Sequence, residues 1–245
     1  MTETRTIRPR PGEDGRLSLD AAAQRTAAIL GDGPRLSPLS IEGSSDGLQA
    51  ILSRMAQVNI ALDSRDKEAV THFLTDSEAG KPGADSAAGA PQLSEIVLTM
   101  LRHADLFAVQ TDVGIQLLGR GTLPPRDREL AVLRIGWLCQ APYEWGEHVL
   151  VAKRVGIGDE EIDRITHGSD APGWSDHDRA ILRATEELYD DAMISDATWR
   201  TLAATFDDKQ LIELPILVGQ YQAVAYYQNA LRLRLHGGNV GLAAR

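Results

Sequence analysis

The sequence predicts an all-α protein, and three observations carry that reading. Apolar residues recur at spacings of three and four from residue 18 onward, two-residue alternation is nearly absent, and Ser, Asp, Pro and Gly stand where helices would start and stop. The 245 residues suffice to bury a core as one domain or as two small ones.

Ser18 can cap a short alanine-rich helix through Leu30, after which Gly31, Gly33, Pro34, Pro38, Gly43 and Gly47 break up a loop. Leu48, Ile51, Leu52, Met55, Val58 and Leu62 form a stripe on one helix, and another fits Arg65 to Leu74. From Asp76 to Pro91 the chain is almost entirely Ser, Gly, Ala, Asp and Pro, the composition of a flexible linker or long surface loop. Helices are expected at 92–103 and 105–119, and Pro124-Pro125 opens the next, because proline is pre-organised for the first helical position. That helix should run to about Gln140, and Pro142 should open one that ends near Gly156, a left-handed cap. Asp159 can cap a short helix to about His167, and Ser175 to Asp178 reads as a capping box before a helix reaching Ala192. The last helices fit 196–205 and 207–233, with Pro215 kinking or offsetting the final one. The Gly-rich tail from His236 is expected to fray.

Composition removes several classes of function. With 43% hydrophobic residues, 22 Gly and 11 Pro, the chain is neither wholly disordered nor collagen-like. It carries 25 basic against 35 acidic residues, a net charge of −10, and has no long basic run, so neither nucleic acid nor an anionic membrane is expected as a partner. A lone cysteine, Cys139, cannot form an intramolecular disulfide or by itself supply a zinc cage, and it reads as an inert buried residue. Met1 to Arg16 is polar and proline-interrupted, and no apolar run reaches the roughly 18 residues of a membrane span, so a cytoplasmic protein is expected. His72, His167, His177 and His236 read as surface residues without metal-ligand spacing.

The densest candidate site lies between Glu129 and His148. Tyr143, Glu144, Trp145, Glu147 and His148 fall close together, and Glu144 and His148, four apart, share one helix face. A carboxylate beside an imidazole holds one tautomer and lets the ring give or take a proton near neutral pH. Glu129 lies in the first turn of the preceding helix, which a short connection around Ala141 would fold back antiparallel; Gly136, on the face of Glu129, would let the two backbones approach. A helix-interior glycine costs about 1 kcal/mol relative to alanine, which a close crossing could offset. The competing reading is a solvated face that does nothing chemical, with Leu150, Val151 and Val155 marking the core side.

Other residues carry two readings each. His103 reaches a pocket or serves a helix end, and Trp137 and Trp145 are core or pocket wall. Tyr221, Tyr226 and Tyr227, with Gln220, Gln228 and Asn229, make the final helix a pocket wall or a subunit interface. Arg126, Arg128 and Arg134 could bind a substrate carboxylate, but exposed ion pairs with Asp127 and Glu129 are the favoured reading.

The stretch GTLPPRDRELAVLRIGWLCQAPYEWGEHVLVAKRVGIGDEEI, Gly121 to Ile162, resembles the carboxymuconolactone decarboxylase family within the wider alkylhydroperoxidase-D-like superfamily. The likeness extends from about Leu93 to Leu235, through LRHADLF and LVGQYQAVAYYQNA. It implies an alkylhydroperoxidase-D-like helical bundle that assembles into homo-oligomers, trimers or hexamers, with a pocket lined by the two helices just described. It also implies an organisation: an N-terminal helical extension over 1–90 with a flexible linker at 76–91, the family domain over 92–235, and a flexible tail over 236–245.

In the peroxidase branch of that superfamily a Glu precedes a His by nineteen residues, with Cys-x-x-Cys seven and four residues before the His; here Glu129 and His148 hold the relay positions, and Ala141 and Glu144 replace the cysteines. Cys139 is out of register, so dithiol peroxide reduction is not carried over. The non-redox branch implies acid/base chemistry without metal or organic cofactor. In it His148 is the general acid or base, Glu129 orients it or relays its proton, Glu144 is a second carboxylate and Tyr143 donates to a developing enolate. Trp145, His103 and Tyr221 would contact the substrate. That substrate is a small lactone, an organic acid or a natural-product intermediate, decarboxylated or, given the additional N-terminal segment, cyclised or isomerised. A non-catalytic oligomeric binding or scaffold protein of the same fold is the alternative, and a thiol peroxidase the third reading.

Overall fold

A computed structural model of the chain describes residues 18–40, 94–235 and 238–245, and among them all regular structure is helical. The expected helices at 48–62 and 65–74, the linker at 76–91, His72 and His236 lie outside the described residues. In chain order the elements are α1 (Leu19–Leu30), α2 (Glu95–Met100), a 3-10 turn (Leu101–His103), α3 (Ala104–Gly119), α4 (Pro125–Leu138) and α5 (Pro142–Arg154). Then follow α6 (Asp159–His167), α7 (Asp176–Asp191), α8 (Asp196–Ala203), α9 (Asp208–Leu231) and a second 3-10 turn (Gly241–Ala243). No helix among the described residues is long and apolar enough to cross a membrane.

The chain divides into two units, one of Met1–Gly33, Leu123–Arg232 and Asn239–Arg245, the other of Pro34–Thr122 and Leu233–Gly238. In the second, α2 buries Ile96 and Val97, α3 buries Phe107, Ala108, Ile115 and Leu117, and the Arg102 side chain donates to the Ser37 carbonyl at 2.7 Å.

The first unit is built around α4. Its residues from Asp127 to Trp137 are all buried, with α5, α6, α7 and α9 packed around it. A helix enclosed on every side cannot show an amphipathic stripe. Leu130, Leu133 and Ile135 are fully enclosed, and each such side chain contributes about 1.5–3 kcal/mol by leaving water.

Local chemistry sets the ends. The Ser18 hydroxyl accepts from the Ala21 N–H, Ser175 from Asp178 and Ser195 from Thr198, and Pro125 and Pro142 occupy first helical positions. Gly156, past the end of α5, has φ +89 as a left-handed cap requires.

Three local expectations need correction. Gly158, not Asp159, caps α6, and Asp159 is its first residue. Pro215 does not offset the start of α9, which runs unbroken from a capping box of Asp207 and Gln210 with the proline inside it. The tail beyond 238 does not fray: Asn239, Leu242 and Ala244 are buried, and the terminal 3-10 turn packs on α1 and α5. Asn239 donates to the Tyr143 carbonyl at 3.0 Å and to Glu147 at 2.7 Å, the Trp145 indole donates to the Ala244 carbonyl at 3.0 Å, and Arg245 pairs with Asp163 at 3.1 Å. A Gly-rich segment orders when it has such partners.

Candidate active site

The α4–α5 connection is only Cys139 to Ala141. Gln140 takes a left-handed φ of 48 and the Ala141 N–H bonds to the Gly136 carbonyl, so the chain reverses within three residues. Trp137 and Trp145 then meet with ring centroids 4.8 Å apart, and Glu129 comes alongside His148. A Cβ on Gly136 would lie 3.7 Å from the Glu144 side chain and 3.8 Å from the Trp145 backbone, which is ordinary contact. The crossing is close, but it does not require glycine there.

His148 is held between two carboxylates. Its Nδ1 is 2.7 Å from Glu129 Oε2, and its Nε2 is 3.2 Å from Glu144 Oε1. The second contact brings opposite charges together, but the ring N–H is not aligned on the oxygen, so Glu144 Oε1 has no well-directed donor. Arg128 Nε donates to the other Glu129 oxygen at 3.2 Å. Glu129, Glu144 and His148 are all buried.

Burial disfavours charge on the His148 ring, but the two carboxylates outweigh it and push its pKa up to about 10. Burial likewise opposes charge on Glu129, and His148 and Arg128 overcome it and hold its pKa below the usual carboxylate value. At neutral pH the centre therefore holds a His148 imidazolium paired with the Glu129 carboxylate.

Helix α9 closes this centre. The Tyr221 ring stands edge-on to His148 with centroids 4.9 Å apart, and Gln228 Nε2 donates to Glu144 Oε2 at 2.7 Å. Burial and the negative charges of Glu144 and Glu129 raise the Tyr221 pKa well above that of a free phenol, and burial and Glu144 do the same to Tyr227. Both stay protonated and remain available as donors.

The structure thus brings together Glu129, Glu144, His148 and Tyr221 of the expected residues. Tyr143 is buried on α5, and its carbonyl holds Asn239. Trp145 is fully buried against Trp137 and the C-terminal tail, a core position. His103 belongs to the other unit, where it is exposed at the N-terminus of α3 and makes no side-chain capping bond. An open groove of about 420 Å3, lined by residues of α7 and α8 including Arg179, Arg183 and Glu187, contains none of the expected site residues.

The arginine and histidine readings also change. Arg128 pairs with Glu129 inside the core rather than at the surface. Arg126 pairs with Glu161 at 2.5 Å and Asp178 at 2.9 Å, not with Asp127. Arg134 is buried on Glu186 at 2.9 Å and on the carbonyls of Ile165 and Thr166. His177 is half-buried and joins Asp127 at 2.7 Å to Thr205 at 2.9 Å. Cys139 is buried at the end of α4. Gln228 carried an interface-or-pocket reading but no tie to Glu144; an amide on the stripe Leu211, Leu214, Val218, Tyr221, Ala225 and Gln228 was the available signal. No group of three or more His, Cys, Asp or Glu among the described residues could hold a metal ion.

The fold among the described residues is all-helical and matches alkylhydroperoxidase-D-like core folds. The carboxymuconolactone decarboxylase family model matches residues 104–187, the span that holds Glu129, Glu144 and His148, and bears out the resemblance read from the sequence. Among solved structures, the chain is similar to an alkylhydroperoxidase AhpD core protein, peroxidase-related, from Ralstonia eutropha JMP134, at 16% identity and TM-score 0.55, covering 74% of this chain and 93% of that one. It is also similar to a peroxidase-related protein from Silicibacter sp. TM1040, at 13% identity and TM-score 0.55 over 72% and 89% of the two chains. A protein of unknown function from Agrobacterium tumefaciens matches at 17% identity and TM-score 0.50, over 54% and 90%. At these identities the likeness concerns the fold. No curated protein matches the sequence.

Proposed function

We propose that this protein is a cofactor-independent enzyme of the carboxymuconolactone decarboxylase type, acting by proton transfer on a small lactone, organic acid or natural-product intermediate. The observation that carries the reading is a buried imidazolium bracketed by Glu129 at 2.7 Å and Glu144 at 3.2 Å. Such an arrangement supplies charge and a proton inside a site from which water is largely excluded, where electrostatic stabilisation is strongest.

In a decarboxylation, the bond to the departing carboxylate breaks and its electron pair passes to a neighbouring carbonyl as an enolate. The His148 cation stabilises that oxygen and gives it the Nε2 proton, while Glu129, fixed by Arg128, keeps the ring oriented. Glu144, steered by Gln228, then passes a proton taken up from solvent to the reacting carbon, while the enol oxygen returns its proton to His148. With its pKa raised to about 10, His148 enters as the acid rather than the base. Tyr143 remains a proposed donor, and Tyr221 is the phenol that stands against the ring. The same groups would serve a cyclisation or isomerisation through an enolate. We place the protein in the cytoplasm as a homo-oligomer.

A second reading, a non-catalytic binding or scaffold protein, is favoured by one feature: both ring nitrogens of His148 are occupied by carboxylates, as in a structural ion pair. Carbon-bound hydrogen exchange in D2O, followed by NMR over a panel of enolisable lactones and β-keto acids, separates the two. Catalysed exchange or CO2 release that disappears in His148→Gln and Glu144→Gln supports the enzyme. No exchange or decarboxylation with any panel member by the folded wild type supports the scaffold. Peroxide consumption lost in Cys139→Ser would instead revive the thiol peroxidase.

A further inference from the structure

The Gln228 amide has two ends at the candidate site, and only one of them is occupied. Its Nε2 donates to Glu144 Oε2 at 2.7 Å, whereas its Oε1 is buried without a hydrogen-bond partner. The residue is 1% exposed, so solvent does not reach the oxygen either. A buried carbonyl that has left water without finding a donor costs free energy, and nearly all such groups in folded proteins are paired. The donors already at the site do not relieve it. Tyr221, two turns earlier on the same face of α9, and Tyr227, next to Gln228, both keep their phenolic protons, yet neither donates to this oxygen. Turning the amide over would sacrifice the bond that steers Glu144. The neighbouring acceptor Glu144 Oε1 lacks an aligned donor too, and it lies 3.2 Å from His148 Nε2. Through the 2.7 Å bond and the two planar end groups, the free oxygens of Gln228 and Glu144 are at most about 7 Å apart. A cation, a proton-passing carboxyl oxygen and a bare acceptor therefore stand within reach of one small molecule.

We propose that Gln228 Oε1 reads a hydroxyl group of the substrate, which makes that substrate a hydroxylated lactone or a hydroxy acid. Its carbonyl oxygen meets the His148 cation, its reacting carbon meets Glu144 Oε1, and its hydroxyl, on that carbon or next to it, donates to Gln228. This rests on the proton-transfer reading of the site and narrows the substrate class within it. The carbonyl can only accept, so an ether or a bare methylene at the same place leaves it orphaned. An ammonium could donate, but it would stand beside the His148 cation, and like charges disfavour it. One end of Gln228 thus fixes Glu144, and the other selects the molecule on which Glu144 acts. A site built to bond a hydroxyl rejects the analogue that lacks it through the unpaired group left behind, not through size.

Deuterium exchange at the carbon beside the carbonyl, followed by proton NMR with the full-length chain, tests this on three probes that share one ring. They are γ-butyrolactone, its α-hydroxy derivative and its α-methoxy derivative, each rate being divided by the rate without protein. The methoxy compound keeps the oxygen and lacks the donor; the unsubstituted ring is smaller than either and controls for crowding. The hydroxy lactone should exchange about tenfold to a hundredfold faster than both others. In Gln228→Met, of similar size, that ratio should fall to about one. Loss of Glu144 steering alone would slow every probe and leave the ratio unchanged, which would overturn the proposal. Should the variant fold poorly, the wild-type ratio decides. Equal acceleration of all three by the wild type would also overturn it while leaving proton transfer in place, and would mean that water caps the carbonyl. If the wild type exchanges none of them, the Gln228 side-chain amide signal in 15N NMR, identified by its absence from Gln228→Met, separates the two ideas. A shift with the hydroxy lactone and not with the methoxy lactone would keep hydroxyl recognition and count against the enzyme. No shift with either, or the same shift with both, would overturn the recognition itself.

Discussion

Helix α4 carries two ion-paired residues five positions apart, the enclosed Glu129 and Arg134 with its part-buried partner Glu186, and the two pairs are built differently. Around Arg134 everything is satisfied: the guanidinium donates to Glu186 at 2.9 Å and to two carbonyls at 3.0 and 3.1 Å, and Glu186 accepts from the Ser169 N–H and hydroxyl. An arginine keeps its proton throughout the working pH range, so this cluster acts as a staple fixing the turn after α6 to α4 and α7. Around Glu129 the cation is a histidine, whose proton can leave, and the second carboxylate has an oxygen without an aligned donor. Two ion pairs on one helix thus differ in kind: the part-buried, complete one holds the fold, and the enclosed, incomplete one keeps a proton that can move.

The sharpest way to break this contrast is Arg134→Met. It leaves Glu186 without its cation, and removing one partner of a buried pair costs about 3–5 kcal/mol. Urea unfolding should report that loss; a loss like that of a surface pair, under about 1 kcal/mol, would deny the staple.

Next in size is the pH dependence of stability. His148 has a higher pKa folded than unfolded, so its contribution is complete below about 6.5 and is lost as pH rises through about 10. Glu129 has a lower folded pKa, so its contribution is present above about 4.5 and fades as pH falls below that. Thermal unfolding should therefore show a plateau between about pH 4.5 and 6.5 and a decline above it. A difference of one pKa unit corresponds to about 1.4 kcal/mol. The decline should be much shallower in His148→Gln and unchanged in Arg134→Met, because the arginine does not titrate there.

Two glycines on the α4–α5 hairpin give smaller effects of opposite sign. A Cβ on Gly146 would overlap the Asn239 side chain, so Gly146→Ala should displace the tail, cost about 1–3 kcal/mol and open the C-terminus to proteolysis. Gly136→Ala meets only ordinary contacts and should be neutral or stabilising by up to about 1 kcal/mol in the same unfolding assay. If both behaved alike, the tail would not be docked where the structure places it.

Most of the fold in the described residues was legible because helix ends are local chemistry: Ser18, Pro125, Pro142, Ser175 and Asp207 act on the next three residues. The Glu129 and His148 pairing was legible for a related reason, since a three-residue reversal leaves little freedom over where two helices meet. What was not legible lies far apart in sequence. Gln228 reaches Glu144 across 84 residues, Asn239 reaches Glu147 across 92 and Arg134 reaches Glu186 across 52. The charged residues of α4 imitate a solvated face, and only enclosure by four other helices turns Arg128 and Arg134 into core residues.

The central claim is that His148 is a buried cation made by Glu129. The direct measurement is the pH titration of its ring nitrogens by 15N NMR in the wild type and in Glu129→Gln. The account predicts both nitrogens protonated at pH 8, titration near pH 10, and a fall toward the ordinary value of 6.5 when Glu129 is neutralised. A wild-type ring that titrates near 6.5 and does not respond to Glu129→Gln would contradict it.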